Sequence, residues 1–385
     1  MGAYHQLGHQ ATNLVLEPHL NNFAGVILSP VNFAPEKTRA DCAEFRRANA
    51  ACDIIFDPQM YVPSATRGEL SSWRHMPGDI DTADQSSAAW WGNVTQAVID
   101  VASDFSPNAI CSPAPHPRIF DNSYYELLVQ TANELHTRLA GTSTRPILTA
   151  LVGMDDVGRT DRHLHIGSIL SRFAGNEIYL VLTDNSRPRQ ERRDSAHLEG
   201  ACRLIQVLSR SGFSVIVGFS SSEMLLWKTA GATHVASGKY FNTRRFTLGR
   251  WDDDGDTGGR NLWYWFEPSL LAFLREADLR RLMREDGAIS PHHSTNPYSA
   301  PILQRIADGD GQPWQADSWR QYLYWFADCE RQIDGDPGAV SQTLQQAEEA
   351  WAAVSRRGLL FEEAYNNGEW IRIWRVVVNE LRESR

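Results

Sequence analysis

Three aspartates stand directly after apolar runs in this chain: Asp57 after DIIF, Asp156 (with Asp155 beside it) after ALVGM, and Asp184 after YLVLT. A carboxylate at the end of a buried strand can serve as acid, base or nucleophile. Two carboxylates whose pKa values are held apart can cleave a glycosidic or comparable bond. The competing explanation for each is a turn residue or helix N-cap. In FDPQMYVP, Asp57, Gln59 and Tyr61 alternate, so on an extended segment they face one side and form a candidate ligand-binding row. Three prolines in SPAPHPRIF fix a rigid path that holds His116 in place, a further candidate binding residue together with Asp155.

A second group is cationic. The stretch AGATHVASGKYFNTRRF runs from Ala230 to Phe246 and places Gly238, Lys239, Arg244 and Arg245 just past an apolar run. Glycine lets the backbone approach a ligand, lysine supplies a point charge, and paired arginines offer forked donors for phosphate or carboxylate. GRTDRHLH and NSRPRQERR add positive charge after two other runs, so an anionic small molecule or a nucleic acid is the expected partner. The competing explanation is that these arginines pair with the acids of WDDDGD. Lys239 also allows a different chemistry, that of a carbon–carbon lyase or aldolase using the amine as nucleophile.

The elements that must hold these residues follow a repeating pattern. Seven continuous apolar runs (AGVILSP, CDIIFDP, AICSP, PILTALVG, EIYLVLTD, FSVIVGFS and THVASG) alternate with helical segments such as YYELLVQTANELHTRL and HLEGACRLIQVLSRSG. Runs of this kind suit parallel strands buried on both faces. The expected fold is a (β/α)8 TIM-like barrel over residues 1–250, with the reactive groups at the carboxyl ends of the strands. The eighth strand is expected at NLVLEP or downstream of Phe246. An open doubly wound sheet would carry a glycine-rich turn after its first strand, where this chain has SPVNFAPE. Ser222 is read as the cap of a short helix. Residues 251–385 form a helical, Trp-rich extension packed on the barrel, beginning with a helix over NLWYWFEPSLLAFLREADLRRLMRE, and could dock a protein partner.

With 42% hydrophobic and 22% charged residues the chain has the composition of a globular protein, and a net charge of −10 argues against a surface that binds nucleic acid throughout. Five scattered cysteines without a C-x-x-C pair suit a reducing cytoplasm. No apolar run reaches the length of a membrane span, so no membrane association is expected. His163 and His165 have H-x-H spacing but lack matching histidines on later strands. Metal ligation by them or by His292 and His293 is not expected, and no cofactor motif is present.

The segment VIVGFSSSEMLLWKTAGATHVASGKYFNTRR resembles the closing strands of the tRNA-guanine transglycosylase barrel superfamily. The shared layout is a strand ending in glycine (Val217-Gly218), a short helix (Glu223 to Leu226 with Gly231), a further strand and a basic turn (Thr243-Arg244-Arg245). The family's nucleophilic aspartate falls where this chain has His234-Val-Ala-Ser237, and its cysteine zinc site is absent. The resemblance implies the barrel and the basic turn, and no nucleophile is carried over from it. Together with the cations, the expectation is a barrel enzyme binding a phosphate-bearing or nucleotide-like substrate. Base exchange or glycosyl transfer fits both the acids and the resemblance, with Asp57, Asp156 or Asp184 as the catalytic acid, base or nucleophile. The alternative is a barrel without chemistry that acts as a binding or scaffolding subunit.

Overall fold

In the computed structural model, which describes residues 2–77, 80, 85, 87–251, 263–285, 291–309, 313–334 and 336–383, eight parallel strands close into a barrel. They are β1 (Tyr4–Gln6), β2 (Gly25–Leu28), β3 (Asp53–Phe56), β4 (Ala109–Cys111), β5 (Arg145–Gly153), β6 (Glu177–Thr183), β7 (Ser214–Val217) and β8 (His234–Ser237). Each pairs with its neighbour in chain order, and β1 closes the ring by pairing Tyr4 with Gly25 of β2 and with Ala236 of β8. The fold is therefore a (β/α)8 barrel. The strand that closes it is YHQ, not NLVLEP or a later segment. Three residues with no apolar run carry too weak a period-2 signal to be read as a strand.

Helices alternate with the strands, and local chemistry sets their starts. The side chains of Ser87, Asp121 and Asp194 accept the N–H groups of Trp90, Tyr124 and His197, opening the helices Ala88–Ser103, Asn122–Arg138 and Ser195–Arg210. After the last of these, Gly212 takes φ +89°, the left-handed conformation that ends a helix cheaply in glycine. The helix Met224–Ala230 differs from expectation. Glu223 is its N-cap, without a side-chain capping bond, because the Glu223 carboxylate is used elsewhere.

Beyond the barrel, residues 263–285 do not form one helix. An antiparallel hairpin, β9 (Trp265–Glu267) and β10 (Ala272–Leu274), precedes the helix Glu276–Arg284. Pro268 lacks an N–H, Leu271 adopts φ +50°, and the aromatic run favours strand, so the apolar spacing that suits a helix is overridden. The helices Ser299–Asp308, Gln315–Ile333, Pro337–Arg356 and Glu369–Glu383 follow. This extension is tied to the barrel by polar contacts as well as apolar packing. Buried Lys228 donates to Glu330 at 2.8 Å, Ser237 and Tyr322 share a 2.8 Å hydroxyl contact, and Trp374 Nε1 donates to the Arg192 carbonyl at 2.8 Å. Among the described residues, no helix is long and apolar enough to cross a membrane.

Candidate active site at the barrel mouth

Asp57 follows β3 and is buried at the barrel mouth. Its carboxylate accepts the Gln59 N–H at 2.9 Å and the Tyr61 hydroxyl at 2.8 Å. Burial pushes the Asp57 pKa up to about 6, against those two hydrogen bonds and the Arg250 charge. Gln59 sits at φ +53°. Its Oε1 accepts the Val31 N–H at 3.1 Å, while its Nε2 is buried without a partner. Tyr61 packs edge-on against Phe246 and Trp251, and His116 lies parallel to Phe246 while its N–H reaches the Tyr61 carbonyl. Asp57, Gln59, Tyr61 and His116 thus come together beneath an aromatic plug of Phe246, Trp251 and Phe219. The segment after β3 is packed down as far as it is described: Trp73 is buried and donates to the Phe33 carbonyl at 2.9 Å. Its continuation to Asp84 lies largely outside the described residues, as does WDDDGD.

The other aspartates belong to two separate networks. Asp156 accepts Tyr125 Oη at 2.9 Å and Arg162 Nε at 3.0 Å, whereas Asp155 is exposed, 3.5 Å from His197. Asp184 accepts Arg192 Nε at 2.6 Å. Burial alone would raise its pKa, but the Arg192 and Arg245 charges and the Arg192 hydrogen bond hold it well below the usual carboxylate range. Arg192 also donates to the fully buried Glu223 at 2.9 Å, and Glu223 is shared with Arg245 at 3.4 Å. Glu191 lies 3.7 Å from Arg245, and burial together with the neighbouring Glu223 charge raises its pKa. No hydrogen bond or ion pair joins Asp57, Asp156 and Asp184 to one another among the described residues.

The cations after β8 have three different roles. A Cβ on Gly238 would lie 2.3 Å from the Gln6 carbonyl and 2.4 Å from Thr243 Oγ1, so glycine is required for close packing on β1. Arg244 donates to the Gly238 and Lys239 carbonyls at 2.9 and 2.8 Å, and its guanidinium lies 3.7 Å from the Tyr322 ring centroid. Arg245 is buried among Glu223, Glu191 and the Gln190 carbonyl. Lys239, like Arg244, has no carboxylate partner among the described residues. Its Nζ reaches the Gln10 carbonyl at 3.0 Å and lies 4.2 Å from the Trp319 ring centroid and 4.7 Å from that of Tyr240. Burial lowers its pKa from 10.5 to about 8. Two cavities, of about 500 and 630 Å³, meet at this side chain.

No family model and no curated protein matches this chain. Solved structures do match the chain. These include dihydrodipicolinate synthase from Oceanobacillus iheyensis, at 11% identity and TM-score 0.34, covering 99% of this chain and 95% of that one. The same enzyme from Aquifex aeolicus matches at 10% identity and TM-score 0.34, covering 94% of this chain and 99% of that one. Both are named as synthases, neither as a transglycosylase. The expected membership of the transglycosylase superfamily is corrected, and with it base exchange, glycosyl transfer and nucleotide binding, on the engagement of the side chains. Asp156 and Asp184 are each paired with an arginine, and Arg244 and Arg245 are engaged within the protein.

Several site residues have no marker in the sequence. Arg250 enters the mouth after the last strand and donates to Ser29 Oγ at 2.9 Å and Asn32 Oδ1 at 2.8 Å. Tyr179, in the middle of β6, donates to Gln6 Oε1 at 2.9 Å, leaving Gln6 Nε2 buried without a partner. The ring of Tyr179 occupies the space where Gly218 lacks a side chain, since a Cβ there would lie 2.4 Å from it. Trp319 covers Lys239 from 80 residues away in sequence, a distance no local pattern spans. Among the described residues, no three His, Cys, Asp or Glu side chains gather as they would around a metal ion.

Proposed function

We propose that the chain is an imine-forming enzyme of the lyase or aldolase kind, with Lys239 attacking the carbonyl carbon of a small anionic substrate at the barrel mouth. One observation carries the reading. The sequence holds three lysines; Lys37 pairs with Asp41 and Lys228 with Glu330 and Asp334, while Lys239 has no carboxylate partner among the described residues. An amine must be neutral to be nucleophilic, and burial favours that form. The Nζ lone pair adds to the carbonyl carbon, and the carbonyl oxygen leaves as water. The resulting iminium accepts the electron pair of an adjacent C–C or C–H bond, giving an enamine and releasing a carbonyl fragment or, to water, a proton. The enamine carbon then takes up a proton, and water hydrolyses the regenerated iminium to the free amine and the carbonyl product.

Borohydride reduction in the presence of a panel of 2-oxo acids tests the reading. A mass increase confined to the Lys239 peptide is expected, and it should vanish in Lys239→Arg. An unlabelled protein, or label on Lys37, refutes it. A barrel without chemistry is a second reading, supported by the engagement of Asp156 and Asp184 with arginines. Full biological activity of a folded Lys239→Arg protein would decide for it. A reducing, cytoplasmic location is part of the proposal, supported by five buried cysteines that are all free.

A further inference from the structure

We infer that the cavity between the turn after β8 and the helix Gln315–Ile333 binds an aromatic carboxylate, which makes an aryl-substituted 2-oxo acid the substrate class. The placing of the carbonyl at Lys239 rests on the imine reading, but binding of the aryl carboxylate does not. The cavity is about 500 Å³, within the usual range for small-molecule sites. Trp319, Tyr240, Trp263 and Tyr264 are among the residues that line it.

Among the described residues, the charge lining the cavity is of one sign. Lys239, Arg189 and Arg244 line it, and among the described residues no aspartate or glutamate does, on a chain whose net charge is −10. Arg244 is committed to two carbonyls. Arg189 contacts the Tyr264 hydroxyl and, at 3.1 Å, Glu363 through the single nitrogen Nη1, and its side chain keeps 43% of its exposure. A guanidinium can offer a second edge to a carboxylate in a bidentate pair. A three-carbon acid would leave most of the ring surface bare, whereas an aryl group covers it. The neighbouring cavity of about 630 Å³ includes Glu69 beside Lys37 and Arg320, and lacks this single-sign character.

Tryptophan fluorescence titration of the full chain tests the inference, using 3-phenylpropionate, propionate and 3-phenylpropionamide as probes. None has a reactive ketone. The aryl acid should bind at least about tenfold more tightly than either the short acid or the neutral amide. Arg189→Gln and Trp319→Leu should each weaken it about tenfold while far-UV circular dichroism stays unchanged. Equal binding of 3-phenylpropionate and propionate, or indifference to both substitutions, overturns the inference. Tight 3-phenylpropionate binding without a borohydride adduct from phenylpyruvate would refute the imine reading and uphold this one.

Discussion

The sharpest quantity attached to this site is the protonation of Lys239, and pH is the perturbation that reads it. An exposed lysine with a pKa of 10.5 is neutral in about one molecule in 3,000 at pH 7, whereas a pKa of about 8 makes it neutral in about one in ten. The site therefore holds roughly 300 times more free amine than open water would, a gain produced by burial. The faces of Trp319 and Tyr240 favour the ammonium and limit how far burial can push it. Competitive acetylation with trace acetic anhydride, followed by mass spectrometry of the peptide, measures this directly. Labelling of Lys239 should rise through a midpoint near pH 8 and then level off. The stability linkage has a definite sign: the unfolded chain binds the proton up to about pH 10.5, so relative to Lys239→Gln the wild type gains stability as pH rises from 8 to 10.5. A labelling midpoint near 10.5 would refute the reasoning and leave Lys239 an ordinary cation.

Other expectations follow from the surroundings of the site. Glu223→Ala leaves Arg192 and Arg245 buried with less countercharge and should cost about 3–5 kcal/mol in urea unfolding; a loss under about 1 kcal/mol would contradict the network. Gly238→Ala meets the Gln6 carbonyl and should cost about 1–3 kcal/mol, while Gly249→Ala, with nothing within 4 Å of the new methyl, serves as the unaffected control in thermal melts. For Asp57 the folded pKa is raised from 3.8 to about 6, so stability present below pH 4 is lost as pH rises to 6. The Asp57→Asn protein should escape that loss of about 3 kcal/mol, and parallel pH profiles of the two proteins would count against a buried acid.

The barrel was legible because its strands are continuous apolar runs separated by capped helices, a pattern that survives without alignment. β1 was missed because YHQ puts polar side chains on a strand whose Gln6 faces the Tyr179 hydroxyl inside the barrel. The hairpin was missed because Trp265, Phe266 and Phe273 are buried in strands at positions that also satisfy helical spacing. Asp57, Gln59 and Tyr61 meet for a reason other than extended alternation: the chain turns at Gln59, φ +53°, and the Asp57 carboxylate accepts the Gln59 N–H and the Tyr61 hydroxyl. The role of Arg244 was not legible, because its aromatic partner Tyr322 comes from the extension, and a cationic cluster in sequence does not reveal which charges a distant helix will neutralise or cover. Lys239 became distinctive only once the other two lysines had found their acids.

Closure of the ring through β1 and β8 has a consequence for synthesis. β1 is synthesised before the other strands of the ring and meets its second neighbour only after residue 237 has emerged, so for most of the barrel's synthesis it offers an open hydrogen-bonding edge. Any nascent chain stalled before that point displays an unfinished parallel sheet, the kind of surface that holdase chaperones cover and that pairs with other incomplete chains. Expression at low temperature, which slows such encounters, should therefore favour recovery of the whole protein over any fragment ending before β8.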